Sequence, residues 1–464
     1  MKQVNGFKRK LPALMLALAS TFALSAHAEV YSFKKCVESA LNQNPEMDVS
    51  AARIQQAESA LGRAEASRMP QITLSMTGSN TDNALGVFGM KLQQRQAAVS
   101  DFGLNEPGAQ TGNFGYQPKG LNEAKSHSDF NTRIEMLLPV WNGGKITSYE
   151  EQAAEMIQAA RQGDIAMQQY LTFNVYQAYE AVHAARSYIN VAKQAKLTAD
   201  EFVRTTQNLV EQGVVVRSEF LTARVNQASA EVALLKAQGQ EKIALDTLKM
   251  LMNLSADEAF DVAERTDLEL PATSVEELLS MAYSENPQLG AKRKEAASTA
   301  FAIDAAKADY YPNFNLMLRQ DWNDDSIGFA SNSYTVAGVL SWKITDFGVT
   351  SSSVDMANAA ALEKKSALRS EENKTRLDVL TAWHKMEVAN KQVNFNLLAV
   401  EQADEAQNLI LRRYKGGVST MTEVLATQTQ LDKARAELVS ARYDVNVFKA
   451  KLRLATGTMN INQL

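Results

Sequence analysis

The residues best placed to do chemistry in this 464-residue chain are few and scattered. Glu219 and Glu423 lie 204 positions apart, and each follows a glycine, Gly213 or Gly417, by six residues. Carboxylates repeated in equivalent settings can gather cations and repel anions. Glu423 also has a purely local use, because Thr420-x-x-Glu423 is a capping box for a helix start. Glu219 lacks that use, since Val216 stands where its cap would be. Past residue 28 the histidines, His127, His183 and His384, are isolated, with no His-x-x-x-His spacing and no paired cysteines to hold a metal. No G-x-S-x-G elbow and no phosphate-binding P-loop occurs. The expectation is therefore neither an enzyme nor a cofactor protein. His183 and His384 fall within long helical stretches, where a packing or pore-lining imidazole is expected.

What must position these groups begins with export. Lys2, Lys8, Arg9 and Lys10 precede an apolar stretch from Leu11 to Ser25, and Ala26-His27-Ala28 is a small-residue cleavage site. Residues 1–28 thus read as a signal peptide. Its removal takes four bases and no acid, so the net charge becomes (48 − 4) − 53 = −9. A mildly acidic chain without a basic patch argues against nucleic acid. The single cysteine, Cys36, excludes a disulfide scaffold, and its distance from the cut argues against a lipid anchor. No later run of apolar residues is long enough for a membrane-spanning helix, which leaves a soluble protein or a β-barrel component.

The chain repeats itself. Asn44-Pro45 returns as Asn286-Pro287 and Met69-Pro70 as Tyr311-Pro312, both 242 positions on. Asn142-Gly143-Gly144, Gly213-Val214 and Leu248-Lys249 return as Asp346-Phe347-Gly348, Gly417-Val418 and Leu452-Arg453 at an offset of 204. The difference of 38 places an insertion in the first half, between Pro70 and Pro139. The organisation read from this is a first repeat over 29–256, a linker or belt over 257–273, a second repeat over 274–456 and a tail over 457–464.

Proline is absent between Pro139 and Pro271 and after Pro312, and Ala, Glu, Gln, Leu and Lys dominate there, which predicts helices over about 144–212, 218–254, 349–415 and 421–456. Val424, Thr427, Leu431, Ala434, Leu438, Ala441, Val445, Phe448, Leu452 and Ala455 step by three and four throughout, the spacing of coiled-coil packing. The equivalent stripe from Phe220 to Leu251 is weaker, interrupted by Gln227 and Glu241. Phe395, Ala399, Ala403, Ala406 and Ile410 supply a facing stripe that Tyr414 ends. Each half then closes as a long antiparallel hairpin whose tip is Gly213-Val214-Val215-Val216 or Gly417-Val418-Ser419-Thr420. Valines exposed at such tips need an apolar partner.

Four shorter segments alternate instead. Ile72, Leu74 and Met76 form one, and Phe130 to Leu138 another. Phe314, Leu316 and Leu318 form the third, and Tyr334, Val336, Leu340, Trp342 and Ile344 the fourth. Strands of about ten residues with one apolar face have the length that crosses an outer membrane. Trp141, Trp322, Trp342 and Tyr334 fall at strand ends, where aromatic girdles sit. Four strands cannot close a barrel, so the barrel must be shared between chains. The Gly- and Asn-rich insertion over about 82–129 should lie outside the cell. Its Gly86–Leu92 stretch could fold over the mouth, although a plain surface loop is the favoured reading.

The ordered set of Asn-Pro helix starts, the segments Leu138–Gly144 and Thr345–Gly348, and the tip Tyr414-Lys415-Gly416-Gly417-Val418 resembles the TolC-like outer-membrane factors along essentially the whole chain past residue 28. The resemblance implies a mainly α protein with a membrane β-barrel. Its homotrimer would share twelve strands and continue into a tunnel of long periplasmic helices. A belt near 257–285 and the C-terminal tail would surround the tunnel. It implies that Glu219 and Glu423 ring a periplasmic entrance, and that Tyr414 bonds Glu219 of a neighbouring hairpin to hold it shut. Ala426 and Thr222 stand where the family often has further acids, which weakens any strong cation selectivity. The implied partners are outer-membrane lipid, a periplasmic adaptor at Gly213, Val214, Val215, Gly417, Val418 and Ser419, and an inner-membrane pump of the RND, ABC or MFS class. The expected function is a passive exit duct in the outer membrane. The alternative is a periplasmic coiled-coil scaffold whose strands form a soluble sheet.

Overall fold

The computed structural model describes residues 29–110 and 112–461; the expected signal peptide and residues 462–464 lie outside the described residues. In the first half β1 (Glu29–Tyr31) leads into α1 (Phe33–Gln43), α2 (Pro45–Ala66) and β2 (Gln71–Thr81). The insertion carries α3 (Ala84–Gln93), a 3-10 turn over Val99–Phe102, and the one-turn helices α4 (Pro107–Gln110) and α5 (Lys119–Asn122). Then come β3 (His127–Trp141), α6 (Lys145–Glu211) and α7 (Arg217–Leu251). The second half runs β4 (Phe260–Val262), α8 (Val275–Glu285), α9 (Pro287–Lys307), β5 (Asn313–Asp324), β6 (Asn332–Ser341), α10 (Val349–Lys415) and α11 (Met421–Thr456).

The long helices α6 and α10 each have 67 residues; at about 1.5 Å per residue each is on the order of 100 Å long. They stop where the backbone turns left-handed, with φ of 71° at Gly213 and 74° at Gly417, a conformation that glycine adopts without a side-chain clash. Of the expected α11 stripe, Val424, Leu431, Ala434, Ala441, Val445 and Leu452 are buried. The facing seam on α10 departs from the sequence reading: Phe395 is 73% exposed and Ala406 also points outward. The seam instead steps through Ala403, Gln407, Ile410 and Tyr414 at the four-three-four spacing that keeps one helical face toward its partner. Gln407 is buried there, so the polar residue was the one hidden by a hydrophobicity-only reading.

The two Asn-Pro pairs have a double task. Asn44 accepts from Glu46 N at 2.9 Å as the cap of α2, while its amide donates to Leu251 O at 2.8 Å. Asn286 accepts from Gln288 N (2.8 Å) and Leu289 N (3.2 Å) and donates to Ala455 O (2.9 Å). Each asparagine thus starts one helix and satisfies a carbonyl near the C-terminus of a hairpin helix, where the last turns lack intrahelical donors.

The largest core lies at the waist of the molecule. Tyr31, Phe33, Cys36, Val37 and Ala40 pack on Tyr176 and Tyr179 of α6, Leu248 and Met252 at the end of α7, and Phe260, Val262, Leu268 and Met459. Burying each large side chain contributes about 1.5–3 kcal/mol. The pairing of β1 with β4 is parallel, which draws the N-terminal segment into the same belt as residues 260–285 and the tail. Burial pushes the Cys36 thiol up to about 12, so it behaves as a core apolar group.

The strands form one antiparallel sheet in the order β2-β3-β5-β6. In its register Leu74 lies opposite Ile134 and Leu318 opposite Val336, while Ser75 lies opposite Arg133 and Arg133 opposite Asp321. One face is therefore apolar and the other charged. Each expected segment falls within a strand except the end of the fourth, where Trp342 and Ile344 lie beyond Ser341, and the strands run past the alternating residues, to Thr81 in β2, to Asp324 in β5 and at both ends of β3.

Candidate functional site

Two surfaces carry the molecule's distinctive chemistry, and they lie at opposite ends of the long helices. At the tips, a small core of Phe202, Ala223, Tyr414, Met421 and Val424 ties the first hairpin to the second. Tyr414 is fully buried, with its hydroxyl 3.2 Å from both Glu219 Oε2 and Thr206 Oγ1. Thr206 directs its own proton to Phe202 O at 2.7 Å. The single Tyr414 proton is thus shared between two acceptors, of which the carboxylate is the stronger. Burial pushes the phenol above its ordinary value, and the adjacent Glu219 charge adds to the effect. Tyr414 thus contributes both packing and a hydrogen bond, and the bond joins the two hairpins of one chain.

Glu219 enters α7 behind Val216, which offers no side-chain cap. Glu423 is different. Its carboxylate accepts from Ser419 Oγ and from Thr420 N (3.3 Å), while Thr420 Oγ1 accepts from Glu423 N (3.3 Å). These bonds, the Ser419 hydroxyl first, hold Glu423 below the usual carboxylate range. The equivalent acids of the repeat are therefore in different surroundings, one bonded across the two hairpins and one in a helix cap.

Of the tip residues, Val214 is 51% and Val418 68% exposed, and Gly213 and Gly417 shape the turns between the helices. Val215 does not belong with them: it turns inward and packs on the Tyr414 cluster. Ser419 is half-buried, with its hydroxyl engaged by Glu423. Val216, the last valine of the expected tip, is 65% exposed beside Val214.

At the other end, Ile72, Leu74, Met76, Tyr334, Val336 and Leu340 stand on the exposed apolar face of the sheet, with Leu74 69% and Tyr334 80% exposed. Trp141 closes β3 and meets Tyr311 edge-on at 6.2 Å, and Trp342 donates from Nε1 to Tyr310 O at 3.1 Å. These form an aromatic row on the helix side. Trp322, stacked edge-on with Phe329 at 5.6 Å, and Tyr334 form a second row at the far side. Apolar strands flanked by two aromatic rows are the exterior of a membrane barrel. The opposite face holds a network the sequence reading missed: Arg133 Nε lies 2.7 Å from Asp321 Oδ1 and Arg319 Nε 2.9 Å from Asp321 Oδ2. Opposite charges at alternating positions of two strands were its available signal.

The histidines do not converge. His127 meets Gln94, His183 packs edge-on against Tyr179 at 5.0 Å, and His384 lies 3.4 Å from Glu387 on the surface. Burial, with Arg265 and Arg186 nearby, pushes His183 down to about 4.

A sheet with a lipid-facing side, continued by paired helices of this length, defines a chain that contributes to a channel of the outer membrane. The chain belongs to the outer membrane efflux protein family, whose pattern matches residues 36–254 and 278–458. It is 21% identical over 300 residues to the outer membrane efflux protein BepC of Brucella suis biovar 1, a match spanning 64% of this chain and 65% of that protein. It is 20% identical over 359 residues to the alkaline protease secretion protein AprF of Pseudomonas aeruginosa, spanning 73% of this chain and 72% of that one. Among solved structures, CusC superposes with a TM-score of 0.76 at 15% identity, over 98% of this chain and 99% of its own. The fold is that of the outer-membrane efflux channels, and the chain is an outer-membrane protein.

Proposed function

We propose that three copies of this chain form a passive exit duct through the outer membrane and periplasm, without catalytic chemistry. The observation that carries this is the four-stranded sheet with a charged face, an exposed apolar face and two unpaired edges, β2 and β6. Exposed strand edges are resolved by pairing, and closure of the barrel removes them. The smallest such barrels have eight strands, so one chain is insufficient.

The helices point the same way. Along α7, Leu221, Val225, Val232, Leu235 and Ile243 form a second apolar stripe that nothing among the described residues covers, each at least 49% exposed. Leu377, Val388, Phe395 and Leu409 do the same on α10. Edges that differ on the two flanks suit a head-to-tail contact, which closes into a ring. Three chains supply twelve strands, the number the family resemblance implies.

In that ring Glu219 stands at the periplasmic entrance, with Glu423 contributing charge from its cap. Val214 and Val418, beside Gly213 and Gly417, present apolar tips to a periplasmic adaptor, and an inner-membrane pump of the RND, ABC or MFS class supplies the energy and selects the cargo. The relatives' names include both efflux and protease secretion, which fits a duct that leaves selection to the pump.

Light scattering of detergent-extracted protein from outer membranes tests the assembly: about three chains per particle is expected, and a monomer in the detergent-free periplasmic fraction overturns it. Bilayer reversal potentials in a salt gradient test the entrance. Glu219→Ala with Glu423→Ala should lower the cation preference, and an unchanged potential removes the acids from the pore. Val214→Asp with Val418→Asp should abolish adaptor crosslinking.

A further inference from the structure

The insertion of the first repeat is folded and anchored. Gln94, at the end of α3, is 3% exposed. Its side-chain amide donates to Ser128 O (2.8 Å) and Asp129 Oδ1 (3.0 Å), and its Oε1 lies 2.7 Å from His127 Nε2. Its backbone carbonyl accepts from the Ser331 hydroxyl at 2.7 Å, and Arg95 reaches Asn332 O at 2.8 Å. Asn323 Nδ2 completes Asp129 at 3.1 Å. The segment is thus tied to both strand pairs at the end away from the helices. Within it, Lys91 and Asp101 pair at 2.5 Å.

The face on which this anchor sits decides where the segment goes. His127, Asp129, Asn131 and Arg133 alternate along β3 with the apolar-face residues, and Asn323 and Asp321 share their side on β5. Gln94 therefore draws the end of α3 onto the charged face, the interior of a closed barrel. Yet Leu85 (80%), Leu92 (51%), Val99 (69%) and Leu104 (57%) stand exposed on this segment. Beside lipid such residues would be at home. Over a water-filled mouth, the apolar surface available to them is the same segment of the other copies, which ring closure sets around one axis.

We propose that residues 84–104 of three copies converge over the outer mouth and pack through these apolar residues into a second constriction, in series with the periplasmic tips. This rests on the trimeric reading above. It assigns the excess length of the first repeat to contact between copies, anchored by Gln94 and Arg95.

The test uses single cysteines, Leu85→Cys, Val99→Cys and Leu104→Cys, in the detergent-purified protein, where the native Cys36 is buried. Copper-phenanthroline oxidation should give disulfide-linked pairs at one or more of these positions, and none with Leu340→Cys on the lipid face. No pair at any of the three in a particle of three chains overturns the convergence while leaving the duct intact; a particle that is not trimeric overturns both. Conductance tests the constriction: Gln94→Ala with Arg95→Ala, in a Tyr414→Phe background that loosens the tips, should raise single-channel conductance at least twofold over Tyr414→Phe alone. Equal conductance overturns it.

Discussion

The Tyr414 hydroxyl and the Glu219 carboxylate meet at 3.2 Å although they are 195 residues apart, so the two hairpins of one chain are joined where they end. A hydrogen bond to a charged group contributes about 1.5–3 kcal/mol, which corresponds to roughly a tenfold or larger change in any equilibrium that makes or breaks it. Tyr414→Phe keeps the ring in its core and removes only the proton. We expect larger single-channel conductance than wild type; identical traces would mean that the ring's packing alone holds the tips.

Alkali should act on the same contact. The folded phenol titrates above its ordinary value of about 10. Its contribution is therefore complete below about pH 10 and lost as pH rises through the raised folded value. Wild-type conductance should increase above that pH, and the increase should shrink in Tyr414→Phe. An equal alkaline rise in both proteins would assign it to other groups.

Asn286 makes a sharper structural test than a simple cap. Its Oδ1 caps α9 and its Nδ2 donates to Ala455 O at 2.9 Å. Asp is as good an N-cap as Asn, and losing a cap costs about 0.5–2 kcal/mol. Asn286→Asp retains the cap but sets a carboxylate oxygen against a carbonyl, so it should lower the thermal dissociation temperature of the assembled protein as much as Asn286→Ala. Wild-type behaviour of Asn286→Asp would reduce Asn286 to a cap.

How far the sequence carried this reading depends on the kind of order involved. Helix limits were legible because Gly213 and Gly417 end stretches that hold no proline and, as their single glycine, Gly163, and α6 and α10 begin and end within a residue of expectation. Strand faces were legible through period-two alternation. The Asn44 and Asn286 pairs were visible as helix starts, but their bonds to Leu251 and Ala455 join distant segments, which no local pattern encodes. Val215 and Phe395 were misplaced for a related reason: both are apolar beside a seam, and only the packed register decides which neighbour turns in. The insertion's fold was hidden because its anchor, Gln94, is polar.

The belt contains a buried ion pair whose two partners should respond unequally. Glu180 is fully buried, paired with Arg265 Nε at 3.2 Å and hydrogen-bonded by Asn446 Nδ2 at 2.9 Å. Burial raises its carboxyl above the usual range. Removing one partner of a buried pair leaves an uncompensated charge and costs about 3–5 kcal/mol, whereas apolar replacement of both can be neutral. Arg265 is partly exposed, so Arg265→Ala should lie at or below the low end of that range. Glu180→Gln should cost less, and Glu180→Leu with Arg265→Leu should recover part of the loss. Dissociation temperatures of these three variants and the wild type check this; a double variant less stable than Arg265→Ala would show that the pair is worth more than its apolar replacement.

The alternation of the sheet gives the most direct test of where lipid lies. Leu74 and Val336 stand on the apolar face, and Thr73 and Thr335 on the charged one. An arginine on the lipid face of a barrel costs about 2–4 kcal/mol near the membrane midplane, while the interior tolerates charge. Leu74→Arg and Val336→Arg should therefore reduce the amount of assembled protein in the outer membrane, and Thr73→Arg and Thr335→Arg, one residue away on each strand, should assemble normally. The comparison holds the position along each strand and the introduced side chain nearly constant while the face changes. Equal assembly of all four would mean that the apolar side faces something other than lipid; the reverse pattern would place lipid on the charged side and invert the barrel.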